Sequence, residues 1–553
     1  MNQTRTFLLM AWLMVAFLLW REWGNEHAPA ATPAAIPAAQ QTTPGNLANT
    51  SNLPTASAIP GVAASAASAQ LRATAETGPL VRLRNDVLDL QLNGLDVVRA
   101  ELLQYRQARA PGSPAVVLFN PEQAQFFVAQ AIWRGVDGTV LVPLPEGPAR
   151  EFTLANGAAA VSARFVANAA NGIQLQRTVT LARGSYALQV HDELVNTGNV
   201  AWTGNIARVL DRVPPVVKTG FTNPESFSLS GAAWYSATDK YKKRKYTNFT
   251  KDGPLDQTVT GGWVALSQHY FLTAWVPQKD QAALFTLAEK GRTYEIAARG
   301  PQVSLAPGQR FASNATLWVG PKLADKLEAT APGLELALDY GMFTVLSKPI
   351  HWLLTQLHKL THNWGWAIVL LVVLIKLALY PLSAAQYKSM AKMRKFQPRI
   401  AQLKERYGED KQKFQMAMLD LYKKEKINPA GGCLPVLIQM PVFLALYYVL
   451  LEAVELRQAP WIVGWVSDLT AQDPYFILPL LNAAVMFLTQ RLTPAVGMDP
   501  MQQKMMQMMP LVMAVMFAFF PAGLVLYWVT NGTLGLAQQW WNTRRFAEEP
   551  AKA

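Results

Sequence analysis

The chain reads as a polytopic α-helical membrane protein of six spans that carries a large antiparallel β-sandwich outside the cytoplasm. Three observations predict this. First, 51% of the 553 residues are hydrophobic and only 16% charged, with mean hydropathy just above zero. That is too apolar for a soluble enzyme and too polar for a pure membrane bundle, and the length argues against one soluble domain. Second, apolar runs of bilayer length recur in the second half. Third, from about residue 79 to Trp318 apolar and polar side chains alternate with the period of strands. The single Cys433 excludes an intrachain disulfide framework and any multi-cysteine metal site. The net charge of +13 admits nucleic acid, lipid or ribosome as partner, and its distribution must decide.

Residues 1–27 are read as an anchor. Arg5 precedes the apolar run Phe7 to Trp20, which resembles a signal peptide. Arg21, Glu22 and Trp23 follow in place of a small-residue cleavage site, although Ala28-Pro29-Ala30 leaves cleavage open. Residues 28–78 are rich in Ala, Pro, Thr and Ser with little to bury, and are read as a disordered tether. Residues 79–342 are the β-sandwich with a C-terminal helix. Leu88, Leu90 and Leu92 alternate with Asp89 and Gln91 before the hairpin signal Asn93-Gly94. Ile173, Leu175, Val179 and Leu181 run to Arg183-Gly184-Ser185, after which Tyr186, Leu188 and Val190 resume. Short strands and turns repeated in this way argue for a sandwich. It holds no nucleophile elbow, phosphate loop or His/carboxylate cluster, so no catalytic residue is assigned. Lys240, Lys242, Lys243, Arg244 and Lys245 are read as a solvated basic loop, with contact to anionic head groups as the alternative.

Residues 343–363 form an amphipathic helix lying on the bilayer. Ile350, Leu353, Leu354, Leu357, Leu360 and Trp364 share one face, while Lys348, His351, His358, Lys359 and His362 take the rest. His358 and His362 have the spacing of a metal pair, but no third ligand is evident. Residues 364–383 are the second span, and it contains Lys376. Six residues before Leu382, that ammonium lies roughly 9 Å inside the end of the span. A charge there costs on the order of 3 kcal/mol unless it meets water or a partner. Its four methylenes also allow it to snorkel to the nearer interface.

Residues 384–430 are strongly polar. From Tyr387 to Asn428 twelve Lys or Arg stand against five Asp or Glu, a net of +7, more than half the chain's excess. Met393, Phe396, Ile400, Leu403 and Tyr407, then Phe414, Met418 and Leu421, predict an antiparallel helical hairpin, with Pro398 bending its first helix. Such charge beside a span marks the cytoplasmic side. Residues 431–541 hold four further spans, Leu434 to Leu451, Phe476 to Leu492, Met505 to Phe520 and Leu524 to Trp541, and residues 542–553 a short tail. The loop Glu452 to Asp473, with Glu452, Glu455, Asp468 and Asp473 against Arg457, then lies outside, while Arg5, Arg544 and Arg545 lie inside. The N-terminus is therefore cytoplasmic and the β-domain periplasmic.

Polar groups recur inside these spans: Lys376, Gln439 between two prolines, and Asn531 and Thr533 near Tyr527. If they converge they line a polar cavity; otherwise they hydrogen-bond neighbouring helices. The stretch DPMQQKMMQMMPLVMAVM carries seven methionines, Met501 to Met516, whose flexible thioethers suit varied apolar partners or simply face lipid.

Several long strings in the second half are similar to those of the YidC/Oxa/Alb family of membrane-protein insertases. They are YPLSAAQYKSMAKMRKFQPRI from Tyr380, NPAGGCLPVLIQMPVFLALYY from Asn428, VELRQAP from Val454, DLTAQDPYFILP from Asp468, DPMQQKMM from Asp499 and FPAGLVLYW from Phe520. In the first half GGWVALSQHYFLTAWVP from Gly261 resembles the family most, and the layout is that of its Gram-negative members. The resemblance implies a five-helix insertase core around a hydrophilic groove open to cytoplasm and lipid. It places Lys376, where many relatives have arginine, in that groove with Gln439. It places Phe443, Tyr527 and Trp528 on a hydrophobic slide, with Trp528 where relatives often have tyrosine. It further implies a protein of the bacterial inner membrane that inserts and helps fold new membrane proteins, alone or beside the Sec translocon. Lys388, Lys392, Arg394, Lys395 and Arg399 would meet a ribosome or targeting receptor by charge. Nascent membrane proteins and lipids are the other partners expected; no DNA, cofactor, metal or enzymatic step is. A small-solute transporter or channel is the rival reading, for which inverted repeats would speak; none is legible.

Overall fold

The computed structural model describes residues 79–547 except 218, 219, 221, 222, 250, 408, 409, 426–429 and 493–499; the anchor 1–27, the tether 28–78 and residues 548–553 of the tail lie outside the described residues. Two sheets, one of twelve strands and one of nine, face each other across buried side chains drawn from both, in a larger cluster and a smaller one around Trp133 and Trp202. Alternation dictates which residues enter it, since successive side chains of a strand point to opposite faces. Ile173–Ala182 pairs antiparallel with Ala187–Asn196, and Ile173, Leu175, Val179, Leu181, Leu188 and Val190 are buried. Leu88–Leu92 and Asp96–Arg106 close around the expected turn. There Gly94 has φ 93°, and a Cβ would stand 1.9 Å from the Pro143 carbonyl oxygen. Between the sheets Arg177 grips Asp192 with two bonds of 2.7 and 2.8 Å, and the Trp133 indole N–H donates to the same carboxylate at 2.8 Å. Burial alone would raise the Asp192 carboxyl; Arg177 outweighs it and holds the group below the usual carboxylate range.

Two expectations need correction. The sandwich is not wholly antiparallel, because Val81–Arg84 runs parallel to Glu151–Thr153. Lys240–Lys245 is not a loop but a strand pairing with Gly231–Ser236 at the rim of the nine-stranded sheet. An edge tolerates such a run because lysines there block pairing with another edge. Lys243 also pairs with Asp339, and Arg244 donates to the Phe249 and Gly253 carbonyls.

The last strand, Arg310–Pro321, leads into α1 (Ala324–Thr330), two 3-10 turns, and α2 (Thr344–Thr361). α3 (Trp364–Ala378) and α4 (Tyr380–Lys395) follow, then α5 (Gln397–Tyr407), α6 (Lys411–Lys424), α7 (Ala430–Glu452), α8 (Ile477–Leu492), α9 (Pro500–Phe517) and α10 (Ala522–Ala547). α10 packs against α3, α4 and α8, α8 against α9, and α2 and α4 against α7.

Among the described residues no single helix is both long and apolar enough to cross a membrane; α3 with the start of α4 passes only as a pair bent by 63°. The expected unbroken span 364–383 therefore breaks at Leu379. Pro381 lacks the N–H that would bond to the Leu377 carbonyl, and its ring crowds that turn. Lys376 thus sits three residues from an elbow rather than six from a span end. α2 also departs from expectation. His351, placed on the polar face, is buried, and Ser347 donates to the Ala445 carbonyl of α7 at 3.2 Å. Leu360, placed on the apolar face, is exposed, as are Trp352 and Val345. The helix thus turns one side to α7 and leaves other apolar side chains uncovered. His358 stacks on Trp364 at 3.9 Å, while His362 ends the helix with φ 51°.

Candidate functional site

The charged group comes first. Asn363 caps α3, accepting from the Trp366 N–H at 3.1 Å and donating to the Trp461 carbonyl at 2.9 Å, which ties the N-terminal end of α3 to the loop after α7. Thirteen residues on, Lys376 is 8% exposed and faces Gly535 of α10, where a Cβ would lie 3.6 Å from its Nζ. The glycine leaves the ammonium its room. Tyr387 of α4 donates its hydroxyl to the Gly535 carbonyl at 3.1 Å, and the Tyr380 hydroxyl reaches Asn542 Oδ1 at 3.4 Å. α4 is thereby held against α10 beside the lysine. Among the described residues the side chains of Lys376, Gln439 and Asn531 make neither an ion pair nor a hydrogen bond.

Asn531 lies one turn before Gly535 on the same face of α10. Thr533, two positions from each, points about 200° away from both and is exposed; the structure does not bring it to the lysine. One further turn along α10, Tyr527 and Trp528 meet Phe443 of α7, with ring centroids 5.8 and 4.7 Å apart. Phe517 of α9 joins at 5.3 Å from Trp528. Gln439 is half-buried one turn from Phe443. Phe517 was missed in the sequence, where it stood in a uniformly apolar run. Among the methionines, Met505, Met508 and Met509 are exposed on α9, and Met501 lies outside the residues whose side chains are described.

At the other end, α5 and α6 form the hairpin around buried Ile400 and Tyr422, with Phe396, Phe414, Met418 and Leu421 packed on them. Arg399 pairs with Glu425 at 2.7 Å. The side chains of Lys388, Lys392, Arg394 and Lys395 lie outside the described part of α4.

A second cluster joins the β-domain to the C-terminal end of α7, and the sequence did not announce it. Glu452, expected at the start of the outside loop, ends α7 and is 1% exposed. It accepts from Ser228 Oγ at 2.5 Å and from Lys322 Nζ at 3.4 Å, the lysine being wholly buried. His269 Nε2 lies 2.9 Å from the Leu451 carbonyl, and burial holds its imidazole below its ordinary range. Arg457 and Gln458 donate to the Gln107 and Arg106 carbonyls at 3.1 and 3.0 Å. Acids and bases far apart in sequence carry no mark of pairing, which is why this joint was not legible.

Residues 356–549 match the family described as 60Kd inner membrane protein, and residues 80–353 the YidC periplasmic domain. A membrane protein insertase YidC of Stenotrophomonas maltophilia (strain R551-3) is 53% identical over 565 residues, covering 100% of this chain and 98% of that protein. One of Xanthomonas campestris pv. campestris (strain 8004) is 52% identical over 574 residues, covering 100% and 99%. Among solved structures, an active YidC insertase with its first transmembrane domain resolved aligns at 20% identity over 85% of this chain and 96% of that one. Its TM-score of 0.37 is too low to bear on the fold.

Proposed function

The chain belongs to the YidC family of membrane protein insertases, inner-membrane proteins with a periplasmic domain, and from that premise we propose how it works. Lys376, Gln439 and Asn531 line a hydrophilic groove that takes the polar segment of a nascent membrane protein, while its apolar segment slides over Phe443, Tyr527 and Trp528 into lipid. Thr533, on the opposite side of α10, takes no part in this groove. Five helices form the core and the N-terminal anchor makes a sixth span; the N-terminus, the α5–α6 hairpin and the tail face the cytoplasm. Lys388, Lys392, Arg394, Lys395 and Arg399 meet a ribosome or targeting receptor there, and the protein works alone or beside the Sec translocon. No bond is made or broken, so the protein is not an enzyme; burial of the new span at ~25 cal/mol per Å² supplies the drive.

One observation carries this reading. Lys376 is buried with no partner among the described residues, and a cation in that position must face water or an incoming group. Gln439 and Asn531 likewise have no hydrogen bond among the described residues, which favours a cavity over helix glue. The test is a photo-crosslinking residue at Gln439, and separately at Tyr527, against ribosome-bound nascent chains in native membranes. Crosslinks that form as the apolar segment emerges and disappear on its release into lipid are expected. Silence at both positions, with a small solute moved by the purified protein in vesicles, would make the groove a transporter's.

A further inference from the structure

The rim strand Lys240–Lys245 carries a run of charge that the insertion path does not use. Lys240, Lys242, Lys243 and Lys245 are exposed. Among the described residues only Lys243 of this strand forms an ion pair, with Asp339. Arg244 is spent on the Phe249 and Gly253 carbonyls and lies over the Trp234 ring at 5.7 Å. Asp239, the carboxylate next to the strand, is taken up by the Gln257 and Ser236 side chains. Three cations therefore stand at an open sheet edge without an ion pair. The bond from Lys243 to Asp339 fixes what that edge adjoins. Asp339 is three residues from Met342, so their backbones are at most about 11 Å apart. Met342 is 87% exposed, and on α2 Val345 and Trp352 are 85% and 62% exposed. Val345 and Trp352 are seven residues apart, about 20° from one another around the helix. The row of cations thus borders an uncovered apolar face.

Neither feature names its partner alone, but side by side they do. Water satisfies the lysines and not Met342, Val345 or Trp352. A nucleic acid offers phosphates and no apolar layer. A bilayer containing anionic phospholipid presents both in adjacent layers, and a helix lying in it buries its apolar face about 5–10 Å into the headgroup/acyl boundary. We propose that the rim strand is a contact for anionic phospholipid head groups. Lys240, Lys242 and Lys245 meet the phosphates, while Met342, Val345 and Trp352 enter the apolar layer beside them. The inference rests on the reading of residues 343–363 as a helix lying on the bilayer. The residue types fit a mobile headgroup, because a lysine is a compact charge on a flexible stem and needs no fixed geometry, whereas arginine's planar fork does. The one arginine of the strand is the one turned to carbonyls. Each cation near an anionic surface favours attachment by roughly fivefold, so three together favour it by roughly a hundredfold. The contact sets the height of the β-domain above the membrane.

The experiment uses the full chain in nanodiscs of phosphatidylcholine alone or with an equal part of phosphatidylglycerol. A nitroxide is placed by Thr247→Cys, exposed in the turn after the strand, or by Met342→Cys, each in a Cys433→Ser background. Relaxation by nickel-chelating lipid head groups reads the distance of the label from the membrane surface. The Met342 label should be close in both discs, and the Thr247 label close only in the anionic ones. Raising salt from 0.15 to 1 M shortens screening from ~8 to ~3 Å and should release Thr247. Lys240→Gln, Lys242→Gln and Lys245→Gln together should lower the ratio of attached to free strand by roughly a hundredfold. The three Lys→Arg changes at those positions keep the charge and should attach like the parent, which separates lost attraction from a disturbed strand. A Thr247 label equally placed in neutral and anionic discs, or unmoved by the glutamine triple, would overturn the proposal while a close Met342 label leaves the α2 reading standing. Failure of the arginine triple to attach would overturn the assignment to charge. A Met342 label remote from the head groups would bring down both readings. Benzoyl-phenylalanine at Thr247 in native membranes should capture phospholipid, and the same probe at Ser162, near the opposite rim of the sheet, should not; capture of polypeptide alone at Thr247 would refute the choice of lipid.

Discussion

Neutralising Glu452 tests whether the β-domain is fastened to α7 by a buried charge pair. Glu452→Gln keeps a hydrogen-bond acceptor for Ser228 but leaves Lys322, wholly buried, as a cation without its counter-charge. Removing one partner of a buried pair costs on the order of 3–5 kcal/mol, because the survivor's desolvation is no longer offset. At 1.4 kcal/mol per tenfold, opening of the joint should become roughly two to three and a half orders of magnitude more frequent. The assay is hydrogen exchange of residues 447–457 and 266–271 in the purified protein. The second arm is Lys322→Met with Glu452→Gln, which removes the lone charge and should recover most of the loss, to within roughly 1.5 kcal/mol. Unchanged exchange in the single variant, or a double variant as bad as the sum of two singles, would falsify the pair as a fastening.

The other predictions are shorter. Burial keeps His269 neutral, with Lys322 acting the same way and Glu452, the Leu451 carbonyl and Glu225 acting against it. A depressed folded value means the joint is complete above the ring's ordinary pKa of 6.5 and loosens as pH falls through that value toward the folded one. Exchange corrected for intrinsic rate should speed on acidification, and His269→Gln should flatten that slope. Lys376→Met should slow insertion of a substrate with an acidic translocated segment while Lys376→Arg keeps it, measured by protease protection of the segment in vesicles. Gly535→Ala places its methyl at ordinary contact with Nζ and should be mild, whereas Gly535→Leu should resemble Lys376→Met in the same assay. Gly94→Ala meets both a positive φ and a carbonyl oxygen at 1.9 Å, and should cost the β-domain roughly 1–3 kcal/mol in urea unfolding.

The sandwich was legible because strand periodicity is local: Leu88, Leu90 and Leu92 announce a face by themselves. The aromatic contacts of Phe443, Tyr527 and Trp528 came from family strings, and their distances could come only from the fold. What stayed hidden depends on distant partners. The strand Lys240–Lys245 looks like a loop by composition, since nothing in five basic residues and one tyrosine shows that Gly231–Ser236 will bond to them. Glu452 counts as an outside acid under the positive-inside rule, and the rule has no term for a lysine 130 residues earlier. The break at Leu379 was in principle readable from Pro381, but the apolar run across it argued for continuity.

The joint at Glu452 also constrains the order in which this molecule is made. Ser228 and Lys322 precede their acceptor by 224 and 130 residues, and synthesis runs from the N-terminus. The sandwich can therefore leave the ribosome, cross and fold while α7 is still unmade. Until Glu452 arrives, Lys322 is hydrated rather than paired, and the contact of longest sequence separation closes late, as topology-limited contacts do. The chain's own maturation thus ends with α7 docking onto a finished domain, and a ribosome stalled before residue 452 would hold it one step short.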